Sequence, residues 1–511
     1  MVEAASRRLP AGSASKDRVS LLDKDSVLAP LVSMHIPAPR ATRDHLPEEA
    51  AARRRVTDAF AGTAERYGFE PVETPAFEKI ELFSARSGPE IKSSMLTFHC
   101  DHEEFALRPE LTAPICRLAA SGALDAAPSP HRLYYSGSCF RYCRPQSGRT
   151  REFTQAGLEL VGEAGPRADA EVIAAACRFL RELGIEGFQL RIGTVGIYRD
   201  LLGDAIDPDD RNSVLGHLDR LAGLRERADA LARGGDDFLA DELRLERREL
   251  AEIQERFDYE GEHRIGEAPE LSPADLAARL PLEAEAAFWQ AWSVEGVVDE
   301  KTSELLLAVS RLRGPLGDVS AQARELLRDT AAVAALDELV AVCRQVEAYG
   351  LGTFETVLGI ARGLTFYSGT VFEITSGPEA AAVKYCGGGR YDSLVELFGG
   401  EPTPSAGCAF RIDAVVKAFR ASDAWSKPPA FQVFLLTDQS EAARVAAFVE
   451  QLRDRGVRAG FGLGVASEDS AAHNTEWIGS IDGETVRLTN GEQTVDKKLS
   501  ADELAVLVAV S

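Results

Sequence analysis

Apolar residues recur at helical spacing through 46–67, LPEEAAARRRVTDAFAGTAERY, and stop at Gly68, which predicts an amphipathic helix there. FEPVETP (69–75) predicts a strand closed by proline, and EEFALRPELTAPICRLAA (103–120) a strand, a turn at Pro109 and a helix. Two segments rich in aromatic and β-branched residues, HRLYYSGSCFRYC (131–143) and EFTQAGLELVG (152–162), flank the polar run RPQSGRTR. They predict an antiparallel hairpin with a basic tip. A helix at about 167–183 and a strand in FQLRIGTV follow.

Residues 200–345 carry a different pattern. LDRLAGLRERADALA, DELRLERRELAEIQERF and SELLLAVSRLRG combine helical apolar spacing with dense mixed charge, and LSPADL has the Ser, Pro and Asp of a helix start. This region reads as a helical insertion whose charges form a solvated face. β structure resumes with TFYSGTVFEIT (365–375) and AAVKYC (381–386), and GGGRYDSLVELFGG turns on glycine into a helix. The proline-bearing linker AWSKPPA (424–430) then introduces a small α/β module, closed by LSADELAVLVAV with Ser500 and Glu503 as a capping box. The expected organisation is a flexible leader at 1–35, a core formed by 36–199 and 346–423, the insertion at 200–345, and the module at 424–511.

Composition bounds the function. With 511 residues, 45% apolar and 27% charged, the chain has material for more than one globular domain. No apolar run approaches the ~20 residues of a membrane helix. The N-terminal stretch lacks the apolar segment of a signal peptide, so a cytoplasmic protein is expected. Eight cysteines without a CxxC pair read as reduced packing thiols, and the eight histidines form no metal motif, so no metal is expected. A net charge of -24 argues against tRNA as a partner. Against that acidity, FRYCRPQSGRTREFTQAGLELVG (140–162) gathers Arg141, Arg144, Arg149 and Arg151, which points to a bound carboxylate or phosphate.

The same stretch resembles motif 2 of class II aminoacyl-tRNA synthetases in the form used by histidyl-tRNA synthetase. LRPELTAPICR (107–117), RGLTFYSGTVFE (362–373) and GGRYDSLVELFGG (388–400) resemble further blocks of that family in the same order, so the resemblance spans about residues 36–420. It implies an α+β fold, a six- or seven-stranded antiparallel sheet flanked by helices, followed by a shortened anticodon-binding-like domain. It implies a homodimer with residues 48–80 at the interface. It also implies that Glu110, Arg141, Gln155, Glu159, Arg362, Tyr367 and Tyr391 hold histidine, with Arg149, Arg151 and Phe153 toward a nucleotide. Structural roles stand beside these: Glu110 as a helix cap, Arg141 in an ion pair, Tyr367 and Tyr391 as core aromatics, Arg149 and Arg151 as loop surface.

Five positions depart from the family, among them Thr365 and Phe366 in RGLTFYSG, where synthetases usually carry Asp and Tyr. Cys143 stands where motif 2 has its glutamate, and in AGCAFRIDAVV (406–416) Arg411 replaces a glycine and Ala414 replaces the motif 3 arginine. FQLRIGTVGIYRDLL (188–202) also resembles the non-catalytic paralogue. An intact histidine half beside a broken ATP half leads to the expectation of a histidine-sensing regulatory subunit of ATP phosphoribosyltransferase, without catalytic residues or cofactor, in a hetero-oligomer with the transferase subunit. The other reading is an active histidine–tRNA ligase using ATP and Mg²⁺, with Arg141 and Arg362 stabilising charge and Arg411 standing in for the lost cation.

Overall fold

A computed structural model describes residues 36–510 apart from 85–93, 101, 144–149, 236, 258, 266–270, 295, 361–365, 378–381, 465–474, 483–484, 491 and 499. In chain order its strands are β1 (Glu70–Pro71), β2 (Phe77–Lys79), β3 (Leu96–Cys100), β4 (Glu103–Leu107), β5 (His131–Phe140), β6 (Glu152–Val161), β7 (Gln189–Thr194), β8 (Arg313–Gly314), β9 (Glu355–Val357), β10 (Thr370–Thr375), β11 (Lys384–Arg390), β12 (Ser405–Arg411), β13 (Phe431–Thr437), β14 (Ala459–Leu463), β15 (Thr475–Asp482), β16 (Thr485–Thr489) and β17 (Thr494–Lys498).

The predicted hairpin is β5 and β6, ten residues each, paired from His131–Val161 to Phe140–Glu152. It seeds a sheet ordered β1-β5-β6-β12-β11-β10-β7-β9-β8. The six strands from β5 to β7 are antiparallel throughout, as expected. Three short edge strands extend the sheet to nine, and two of them, β1 and β9, pair in parallel. β1 falls within the strand predicted at 69–75, whereas β8 and β9, of two and three residues, carry too little periodicity to be read beforehand.

Alternation gives the sheet two unlike faces. Even-numbered residues of β6 and β12, Ala156, Leu158, Leu160, Cys408 and Phe410, join the main core. Helices Pro47–Arg66, Pro166–Glu182 and Ile412–Ala421 pack there, with Phe410 edge-on to Phe60 and Phe179 at 5.9 and 4.9 Å. Arg390 of β11 also points to this side. It meets Asp169 of helix Pro166–Glu182 at 2.5 Å and Asp392 at 2.9 Å. Burial lifts the Asp169 carboxyl to about 6 although Arg390 pulls it down.

Six helices, from Pro208–Ala232 to Val333–Ala348, fill the region between β7 and β9. Their charges are not all solvated as expected. Glu283 is only 1% exposed and holds Arg247 through bonds of 2.6 and 2.9 Å, and the buried Glu285 takes Arg225 at 2.6 Å. Helix packing puts these faces inside the bundle, where the charges survive by pairing. His217 lies flat on Phe288 and accepts from the Trp292 indole at 2.9 Å, and burial drops it to about 4. Arg191 of β7 bonds Glu226 of helix Pro208–Ala232 at 2.8 Å, tying the bundle to the sheet. After the linker, a five-stranded sheet ordered β14-β13-β15-β16-β17 carries helices Ala442–Asp454 and Ala501–Val510. Among the described residues no helix is long and apolar enough to cross a membrane.

Candidate functional site

The odd-numbered face of the sheet is covered at the Glu159 end and opens toward Arg411, and its floor is made of residues without bulk. Strand register sets Glu159 beside Gly407 and Gly407 beside Gly389; one step along, Gly157, Ala409 and Gly387 lie in a row that ends at Glu373. The glycines are required. A Cβ on Gly407 would fall 1.7 Å from Glu159 Oε2, one on Gly157 would meet the Tyr135 hydroxyl at 2.3 Å, and one on Gly389 would press 3.0 Å from the Tyr367 ring.

At one end stands Glu159, 1% exposed. It accepts from the Thr112 hydroxyl at 2.8 Å, from Tyr135 at 3.2 Å and from Tyr391. Among the described residues no cation pairs with it. Burial raises its carboxyl to about 8, against the pull of these hydroxyls. Tyr391 and Tyr135 are themselves held well above the usual phenol range, by burial and by Glu159, so they stay neutral donors.

The loop from β4 into helix Thr112–Ala120 closes this end. The buried Glu110 accepts from the Thr112 and Ala113 amides at 2.6 and 3.0 Å, and burial raises its carboxyl. The geometry thus gives it the helix-capping role that the sequence left open, while Arg141 acts on it electrostatically. Gln155 Oε1 accepts from the Leu111 amide at 2.9 Å, leaving its amide nitrogen as a donor with no partner among the described residues. Arg108, not singled out beforehand, ties the loop down by donating to the carbonyls of Ser138, Thr74 and Pro75 at 2.8, 2.7 and 3.2 Å. Three bonds to backbone carbonyls far along the chain leave no mark in local sequence. Tyr367 packs at 4.8 Å on Phe366.

The other end is cationic and aromatic. Arg141 donates to the Pro109 carbonyl at 2.8 Å and lies 5.4 Å over the Phe153 ring. Arg151 lies 4.7 Å over Tyr142, and its Nε is buried without a partner among the described residues. Arg411 ends β12 opposite Gln155. Asp413 turns the other way, accepting from Arg53 at 2.6 Å and from the Thr154 amide at 2.9 Å, and Ala414 packs on the main core. Arg149, Arg362 and Thr365 lie outside the described residues.

The profile of the histidyl-tRNA synthetase family matches residues 41–256 and 282–415. The chain belongs to the histidyl-tRNA synthetase family. A histidine–tRNA ligase of Archaeoglobus fulgidus is 35% identical over 428 residues, covering 83% of this chain and 85% of that protein. One from Methanocaldococcus jannaschii is 33% identical over 383 residues, 74% of each. Solved structures agree on the synthetase fold. A histidyl-tRNA synthetase from Nostoc superposes with TM-score 0.64 at 19% identity, over 93% of this chain and 99% of that one. An ATP phosphoribosyltransferase regulatory subunit/histidyl-tRNA synthetase from Bacillus halodurans gives 0.60 at 24%, over 87% and 98%.

These relatives correct the expected function. The expectation of a non-catalytic regulatory subunit is overturned by curated relatives of high coverage, 31–35% identical, that are named histidine–tRNA ligase. With it goes the reason for expecting a transferase partner. The physical reason lies in where the departures sit. Cys143 is half-buried and Arg411 exposed, both at the rim of the open face, and Ala414 lies against the core behind it. The glycine floor carries none of them, and at the Glu159 end Phe366 keeps an aromatic ring edge-on to Tyr391 at 6.0 Å.

Proposed function

We propose that the chain is a histidine–tRNA ligase. The observation that carries this reading is the cluster of hydroxyls around the buried Glu159. A buried carboxylate that collects three hydroxyl donors and no cation is an unfilled acceptor for the N–H of an imidazole or an ammonium group. In this reading Glu159, Tyr391, Gln155 and Tyr367 surround the histidine side chain and Glu110 faces its amino group. Arg141 and Arg362 bind its carboxylate. A carboxylate oxygen then bonds to the α-phosphorus of ATP as the bond to pyrophosphate breaks, and the histidyl group passes from the adenylate to a tRNA hydroxyl. Arg141 stabilises the charge that builds on the phosphate, Phe153 offers a flat surface for the base, and Arg149 and Arg151 approach the phosphates.

Among the described residues no group of three or more His, Cys, Asp or Glu is placed to hold a metal. Mg²⁺ therefore enters this reading as part of the Mg–ATP substrate. The reading makes tRNA a partner despite the net charge of -24, through local cations, and it implies a cytoplasmic homodimer. Histidine-dependent ATP–pyrophosphate exchange tests it, followed by charging of histidine tRNA. Exchange that needs histidine supports the ligase; purified chain that binds histidine but shows no exchange above background rejects it.

A further inference from the structure

We infer that Arg411 holds the distal phosphates of ATP in this chain, a role that rests on the ligase reading and adds to it a residue outside the family's usual pattern. Four observations converge. Even residues of β12 are in the core, and Gly407 on its odd side faces Glu159, so position 411 projects onto the open face, in register with Gln155. Arg141, Arg151, Phe153 and Arg411 all occupy odd positions at one end of that face. Arg141 lies over the Phe153 ring and Arg151 over Tyr142, and the Arg411 position is diagonal to Phe153 across the strand pair, a separation of about 7–8 Å.

Arg411 is also uncommitted. It is exposed, and among the described residues it has no hydrogen-bond, ion-pair or ring partner. By contrast Arg53, Arg132, Arg191 and Arg390 each hold carboxylates. In a chain of net charge -24, a guanidinium without a counter-charge on a ligand face is suited to an incoming anion, which it can bind bidentately. Because the side chain reaches into solvent, it can swing aside as the nucleotide enters, so replacing the family's glycine does not fill the site. Finally, Ala414 packs on the core where the family carries its phosphate-binding arginine. The cation lost from the helix is offset by one three residues earlier, at the strand end.

The test uses the full chain, with calorimetric titrations of Mg–ATP, AMP and histidine against wild type, Arg411→Ala and Arg411→Lys, and pyrophosphate exchange alongside. Arg411→Ala should weaken Mg–ATP binding at least about tenfold, the scale of one charge-assisted bond. It should raise the KM for ATP by a similar factor and leave AMP and histidine binding within about twofold. Arg411→Lys should fall between. Unchanged histidine binding shows that the variant is folded. Mg–ATP bound equally by wild type and Arg411→Ala overturns the inference, as does equal loss of AMP, which would place Arg411 on the adenosine or α-phosphate that both nucleotides share. Wild type that fails to bind Mg–ATP overturns it too. Wild type that binds Mg–ATP but does not exchange sinks the ligase reading alone, and the Arg411→Ala comparison still decides the phosphate contact.

Discussion

Replacing Glu159 by glutamine should strengthen the empty protein and blind it to histidine. The carboxyl is raised from its ordinary 4.5 to about 8 by burial. At ~1.36 kcal/mol per pH unit, holding it in this site burdens the folded state by about 3 kcal/mol at pH 7 and less than about 1 kcal/mol at pH 5. The sign follows from the direction. The folded value exceeds the unfolded one, so the burden is absent below pH 4.5, grows as pH rises and levels off above about 8. Glutamine has the same shape and does not titrate, and its carbonyl can still accept from Thr112 and Tyr135. Thermal and urea unfolding of Glu159→Gln and wild type, without histidine, should show an advantage for the variant that widens from pH 5 to pH 7. Calorimetry should show histidine binding lost. Equal stability at both pH values, or retained histidine affinity, would refute the assignment of Glu159 as a cation-free acceptor awaiting ligand.

Further perturbations follow from the same geometry. Gly407→Ala should abolish histidine binding, since its methyl would fall on Glu159 Oε2 and lie 2.6 Å from the Leu158 carbonyl oxygen; a calorimetric titration with normal affinity would count against the floor as drawn. Asp169→Ala, which leaves the buried Arg390 with Asp392 as its counter-charge, should cost about 1–3 kcal/mol in urea unfolding. Tyr391→Phe removes a hydroxyl that pulls the Glu159 carboxyl downward, so the midpoint of its titration, followed through the pH dependence of histidine binding, should move up.

Much of the central sheet was legible because its signals are local. Aromatic and β-branched enrichment on both sides of a polar run located the hairpin, and the helical spacing of 46–67 gave a helix observed at Pro47–Arg66. The residues of the site were legible only through motif resemblance, because its halves lie far apart in the chain: Tyr391 reaches Glu159 from 232 residues away. No periodicity encodes such pairings. Glu110 shows the opposite limit. Its capping bonds are local and were foreseeable, yet a cap and a ligand-facing carboxylate look the same in sequence. The meaning of the changes at 411 and 414 depended on which face of β12 each residue serves, and only the register settles that.

The strand order of the main sheet bears on how the chain emerges from a ribosome. β5 and β6 are made early, but the partner that covers the free edge of β6 is β12. At about 5–20 residues per second, the ~250 residues between Val161 and Arg411 take roughly 12–50 seconds to appear. For that interval a ten-residue strand edge stands unpaired while the helical bundle is being synthesised. Nascent chains stalled between the bundle and β12 should therefore be the species most prone to clump and to recruit chaperones, and release of that hold should coincide with the arrival of residue 411.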